Sequence, residues 1–406
     1  MKENGKKNTL DKVILIIAVL LLTGYSFHLI SLHYNQTLYR ETGLFESDLF
    51  LQIEMALDGW GYSITALIFR VLSLLPGKAF NFAVALFLAA CEIGTVALTY
   101  VWMRKNDVET KVAVLMTALA GFVMPFHISA VQPYRYIGYQ SPSIWHNSTY
   151  IVMKVCAFAT IWLYVTMSKK YKDELKTSQL IAFAILLALT TTVKSNFIVA
   201  FAPAALIFLI IDKILGVRFK TILLCAATVI PSIAIILFQN LVLFGEDTGN
   251  SIIIDPLYTV YLRAERPYFT MIMSAAFPVF VFLVNVVCVF SDTYKDFKTK
   301  KGTLTHRWFL FSWTMWFVSF VQLLLLRETG KRELDENFAW GYDFCLFIVL
   351  IVSIVYYLKN LSKDGIKNKT LKITYAVAGG AILAYQAFCG VVFFVKLCNG
   401  VTYFMQ

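Results

Sequence analysis

The residues of this chain best equipped for chemistry stand between long apolar runs. In Glu46-Ser47-Asp48 the second carboxylate is flanked by Phe45 and by Leu49-Phe50. A carboxylate held at an interface among apolar neighbours can be a stronger base than one in water, which suits it to take a proton from a hydroxyl, so Asp48 is the candidate general base and Glu46 the adjacent alternative. The competing role for Asp48 is to cap a short helix. Further along, HISAVQPYRYIGYQSPSIWHNST (127–149) mixes aromatics, amides and imidazoles around a single strong charge, Arg135. Aromatic faces stack on the C–H faces of sugars while amides and imidazoles bond hydroxyls, so Trp145, His146 and Asn147 are candidate carbohydrate or lipid-phosphate contacts. An aromatic belt at a membrane surface would have a similar composition.

Cations complete the set. Lys194 is the only strong charge in TTVKSN, Arg263 and Arg266 lie in YLRAERPY, and Arg327, Lys331 and Arg332 lie in RETGKRELDEN. Arg and Lys at a membrane surface are apt partners for phosphate or pyrophosphate, although the acids in the same loops could neutralise them. Lys154, Glu92 and Asp343 fall within apolar runs. Ionisable groups there are costly and are read by default as functional, or as pairs such as Lys154 with Asp343.

These residues need elements to position them, and the composition says which. Of 406 residues, 59% are hydrophobic and only 15% charged, too little polar surface to coat soluble domains. The apolar runs have membrane-spanning length, near Val13–Leu32, Ala79–Met103, Val112–Ile128, Thr149–Ser168, Ser178–Val193, Asn196–Ile211, Thr221–Phe244, Tyr268–Phe290, Trp308–Leu326, Phe338–Leu358 and Lys372–Leu397. The expected fold is therefore an all-α polytopic membrane protein, one integral membrane domain over 1–406 with about eleven transmembrane helices. Two short interfacial helices are expected in a first outside loop over 33–78, from Asp48 to Asp58 and from Ile64 to Leu75, the second too short to cross and ending at Pro76-Gly77.

With the N-terminus cytoplasmic, 24 of the 36 Lys and Arg fall on inside segments, which predicts a multi-pass plasma-membrane protein with its C-terminus outside. The net charge of +11 then serves lipid headgroups and helix orientation rather than nucleic acid. The Lys-rich loops suit a bacterium. The seven cysteines, nearly one per apolar run and without CxxC or a neighbouring His at ligand spacing, are read as small buried hydrophobes, so no metal ligands are assigned. P-loop, GxGxxG, HExxH, GxSxG and DxD motifs are absent.

The order of these features resembles the GT-C superfamily of membrane glycosyltransferases. The resemblance rests on ESD, on two interface helices (DLFLQIEMALDGW and SITALIFRVLSLL), on SPSIWHNST, TTVKSNF and NFAWGY, and on a long bundle whose outside loops are aromatic and basic. It implies a polyprenyl-phosphate-linked sugar as donor and no cofactor, with Asp48, or alternatively Glu46, as base. Arg135, Lys194, Arg327, Lys331 or Arg332 would contact the lipid phosphate. The missing DxD leaves divalent metal open, and the lack of a soluble outer domain leaves the acceptor, glycan or lipid, open. A flippase for a lipid-linked glycan, using Glu92 and Lys154, and an oligosaccharide polymerase or ligase are the alternatives.

Overall fold

The computed structural model describes residues 2–59, 63–133, 141–172, 175–244, 249–264 and 266–401. A long helix α1 (Lys2–Thr37) is followed by one turn, α2 (Tyr39–Thr42), and by two short helices, α3 (Asp48–Leu57) and α4 (Ile64–Leu72). Then come α5 (Lys78–Lys105), α6 (Thr110–Phe122), α7 (Ser148–Ser168), α8 (Thr177–Val193), α9 (Asn196–Ile214), α10 (Phe219–Ala227) and α11 (Ile230–Phe244). The remainder comprises strand β1 (Ile252–Ile254), α12 (Tyr258–Arg263), α13 (Pro267–Ser274), α14 (Ala276–Thr299), α15 (Arg307–Leu325), strand β2 (Leu326–Glu328), a 3-10 turn (Gly330–Asp335), α16 (Asn337–Leu361) and α17 (Lys369–Cys398). The protein is a helical, polytopic membrane protein. Among the described residues, nine helical segments are long and apolar enough to span a bilayer. The most buried is α16, around which the others pack, whereas α1 is peripheral.

The nine fall short of the expected eleven by length alone: α6 and α8 are also apolar but have only 13 and 17 residues. Proline explains the shortening of α6 and two further breaks. A proline has no N–H for the carbonyl four residues back and its ring collides with that carbonyl. Accordingly α6 ends just after Gly121, four before Pro125; α10 ends at Ala227, four before Pro231; and α13 ends at Ser274, four before Pro278. The runs read as single helices over Thr221–Phe244 and Tyr268–Phe290 are thus each broken in two.

In an apolar surrounding a freed carbonyl needs another donor, and side chains from other elements supply it. Ser143 Oγ donates to Gly121 O at 3.0 Å, and Gln386 Nε2 donates to Ser274 O at 2.9 Å and to Met273 O at 3.1 Å. Pro203, inside α9, frees Val199 O, which accepts from Gln322 Nε2 at 2.9 Å. The chain leaving α6 is pinned in the same way, with Met124 N–H bonded to Gln386 O at 3.1 Å. It lies so close to α17 that a Cβ at Gly390 would stand 1.5 Å from Phe122 O.

The two ends of the bundle differ. At one end the lysine-rich turns meet: Lys172 Nζ donates to Lys300 O at 2.7 Å, Trp102 lies against Trp308 at 5.3 Å, and Arg307 forms a bidentate pair with Asp212 at 2.5 and 2.8 Å. That pair is fully buried beside Tyr164, Tyr171 and Phe208. At the other end lie α3, α4, the 141–148 segment, the α8–α9 turn and a small antiparallel ribbon. This ribbon, the only departure from an all-helical fold among the described residues, pairs Ile252 with Glu328, Ile253 with Arg327 and Ile254 with Leu326.

The cysteines are not uniformly buried as expected. Cys225, Cys345 and Cys389 are, but Cys91, Cys156 and Cys398 are half-buried and Cys288 is exposed.

Candidate functional site

Ser47 and Asn147 build the site's frame. Ser47, in extended conformation, caps α3 by accepting from Leu49 N–H at 3.3 Å, so the adjacent Asp48 carboxylate is not needed as a cap. Asp48 Oδ2 instead accepts from Asn147 Nδ2 at 2.7 Å. Asn147 is itself the cap of α7: its Oδ1 accepts from Tyr150 N–H at 2.9 Å and from Thr149 Oγ1 at 2.8 Å. One turn along α3, Gln52 Oε1 accepts from Ser148 N–H at 3.0 Å and from the Ser148 hydroxyl. The first turns of α3 and α7 are thereby laced together by four side chains.

The 141–148 segment is held against the bundle from both sides. Ser141 N–H donates to Asp343 Oδ1 at 2.8 Å, and Lys154 Nζ donates to Pro142 O at 2.7 Å and lies 4.0 Å from the centre of the Phe347 ring. Lys154 and Asp343 therefore grip neighbouring residues of this segment rather than forming the ion pair considered from sequence. Trp145 turns inward, its indole N–H donating to Tyr25 hydroxyl at 3.0 Å.

Two cations, Lys194 and Arg332, line the same cavity as Asp48. Lys194, in the turn between α8 and α9, donates to Thr149 Oγ1 at 3.0 Å and lies 4.8 Å from the centre of the Trp340 ring. Burial pushes its ammonium down to about 8, against the pull of nearby Asp48 and Asp335. Arg332 is held between Glu328 at 3.5 Å and Asp335 at 3.2 Å. Glu328, whose carboxyl is raised by burial, also accepts from Asn337 Nδ2 at 2.6 Å. His146 sits below, 5.8 Å from Trp340 between ring centres, and burial lowers its imidazole to about 4 although Asp48 opposes the shift. It is therefore neutral near pH 7, a hydrogen-bonding group rather than a cation.

Asp48, His146, Asn147, Lys194 and Arg332 all line one cavity of about 590 Å³, together with Gln52, Asn196, Glu328, Asp335, Asn337 and Trp340. Leu51, Ile252, Leu262 and Leu334, exposed on the outer surface, also line it, so its mouth has an apolar rim. The volume is that of a ligand site, and its lining carries Lys194 and Arg332 among the carboxylates of Asp48, Glu328, Asp335 and Glu336.

The other candidates lie elsewhere. Glu46 is half-buried outside the lining. Arg327 is held by Asp255 at 2.8 Å and Glu333 at 2.7 Å, with Tyr258 against its guanidinium. Lys331 is exposed, its backbone N–H bonded to Asn250 Oδ1 at 3.0 Å. Trp145 and Lys154 line a second, small cavity of about 40 Å³. Arg135 lies outside the described residues. Gln52, Asn196, Glu328 and Asp335 were not singled out from sequence. Gln52 had a signal, since it follows Asp48 by four residues on a helix and so shares its face.

Searched against models of protein families and against curated proteins, the chain matches none.

Proposed function

We propose that this protein is a glycosyltransferase of the bacterial plasma membrane that moves a sugar from a polyprenyl-phosphate carrier to an acceptor hydroxyl, with the N-terminus cytoplasmic and the cavity and C-terminus outside. The observation that carries this reading is the convergence of Asp48, Lys194 and Arg332 on one apolar-rimmed cavity. Displacement at an anomeric carbon needs a base behind the attacking oxygen and cations on the departing phosphate. Asp48 takes the acceptor's proton as its oxygen bonds to the anomeric carbon. The C–O bond to phosphate breaks with its electron pair going to the phosphate, beside Lys194 and Arg332. Asn147 fixes the Asp48 carboxylate, while Gln52, His146 and Trp340 offer hydrogen bonds and a stacking face to the sugar. The rim leads the polyprenyl chain out to lipid. A single displacement inverts the anomeric centre.

Protein in lipid nanodiscs, supplied with a panel of radiolabelled polyprenyl-phosphate sugars and a lipid extract as acceptor, tests this. Asp48→Asn is expected to lower transfer by roughly 10²- to 10⁴-fold with carrier binding intact. Transfer that survives Asp48→Asn removes the base from the scheme.

A carrier of lipid-linked glycan is favoured by one different observation. Glu92 lies 3.4 Å from His33 Nε2 in the bundle interior and lines the small cavity with Lys154. For that activity Glu92→Gln would be the damaging change, and no glycosidic bond would form.

A further inference from the structure

The lysine-rich end, far from the cavity, gathers three different metal-ligating side chains. Cys288 and Asp292 are four residues apart on one face of α14, and His306 immediately precedes α15. Asp292 Oδ2 is 3.1 Å from His306 Nε2 and 3.9 Å from Cys288 Sγ, and the three ligating atoms all lie within 4.8 Å of one another. A tetrahedral ion with bonds of about 2.0–2.3 Å separates its S, N and O donors by about 3.3–3.6 Å, so small side-chain rotations close the set. We propose that Cys288, Asp292 and His306 bind a zinc-type divalent cation, with water in the fourth position.

The surroundings support such a site in two ways. The outward nitrogen of His306 has a fixed partner: Nδ1 is 2.8 Å from Tyr356 hydroxyl of α16, which orients the ring and leaves Nε2 directed at Asp292. The α14–α15 turn that delivers the histidine is also fixed. Buried Asp296 accepts from Thr305 N–H at 2.5 Å and from Thr305 Oγ1 at 2.9 Å. Lys295 bonds the other Asp292 oxygen, Oδ1, at 2.9 Å, leaving Oδ2 for the ion. The sequence concealed this set because His306 is eighteen positions from Cys288 and reaches it only through the helical hairpin.

A mixed sulfur, nitrogen and oxygen set selects zinc, cobalt or cadmium over magnesium or calcium. Binding breaks the Cys288 S–H bond, releases its proton to water and forms a metal–sulfur bond. The thiolate and carboxylate then balance the dication despite the neighbouring lysines. The ion would clamp α14 to the start of α15.

The test uses the full-length protein in detergent, stripped with a chelator and titrated with Co²⁺ while thiolate-to-metal absorption is followed. The expected result is a band that saturates at one Co²⁺ per chain, is displaced by Zn²⁺ and is lost in Cys288→Ser, a change at an exposed position. Tyr356→Phe and Asp292→Asn keep the band and weaken binding by roughly tenfold or more. Absence of a saturable thiolate band, or one that persists in Cys288→Ser, overturns the proposal, as does an affinity that neither of the other two variants changes.

Discussion

Lys194 shows how a single side chain in the cavity can report on its own role. Its ammonium, lowered to about 8 by burial, is charged below that pH and loses its charge as pH rises through it. If it holds the phosphate of the carrier, kcat/KM should fall above about pH 8. A bound phosphate restabilises the charge, so the alkaline limb of kcat should lie higher. In Lys194→Arg, where the charge persists, both limbs should disappear, as transfer assays across pH would show. His146, lowered to about 4, should add no limb between pH 5 and 8. At this scale the sequence was informative about residue type and less so about direction. Asp48, His146, Asn147 and Lys194 stood out as polar groups at the ends of apolar runs, and they do meet. Arg327 and Arg332 looked equivalent in RETGKREL. They differ because Arg327 lies on β2, where neighbours alternate in direction: Glu328 lines the cavity while Arg327 turns to Asp255 and Tyr258. That pairing joins β2 to a strand more than seventy residues earlier, and no local pattern announces it.

Between helices, the bundle depends on polar side chains that the apolar periodicity hides. Gln386 is fully buried on α17 and its amide donates to both carbonyls at the end of α13, Met273 O and Ser274 O. Gln386→Leu leaves those carbonyls unpaired and should cost about 1–3 kcal/mol, read as earlier thermal unfolding in detergent. Restoring the helix with Pro278→Ala in the same chain should recover part of the loss, because Ser274 O would regain a backbone donor. At the other end of the bundle, Asp212→Asn leaves the Arg307 guanidinium buried without its counter-charge. The expected destabilisation is about 3–5 kcal/mol, whereas replacing both residues by apolar ones of similar volume should be much milder. Each proline was visible in the sequence, although the apolar runs were read straight through Pro125, Pro231 and Pro278. The donors that meet the carbonyls freed by Pro203 and Pro278 were not visible, since Gln322 and Gln386 come from helices distant in sequence.

For the molecule as a whole, apolar run length was enough to establish a multi-pass helical protein. Nine of the described helical segments have full spanning length, and α6 and α8, shorter but apolar, run between the same two ends of the bundle. Sidedness follows from charge. The segments carrying 24 of the 36 basic residues are the turns 104–111, 169–176, 213–220, 295–307 and 359–372, together with the N-terminus. Contacts such as Lys172 with Lys300 and Asp212 with Arg307 gather several of these turns at the end opposite the cavity. Lys and Arg are retained in the cytoplasm during insertion, so that end should be inside and the cavity outside. Cysteines placed singly at two exposed positions, by Lys331→Cys near the cavity and Lys298→Cys in the last turn of α14, test this in a chain whose exposed Cys288 is replaced by serine. A membrane-impermeant maleimide added to intact cells should label position 331 and reach position 298 only after lysis. The reverse pattern would put the Asp48 carboxylate in the cytoplasm, where the proposed chemistry on an outward-facing carrier could not take place.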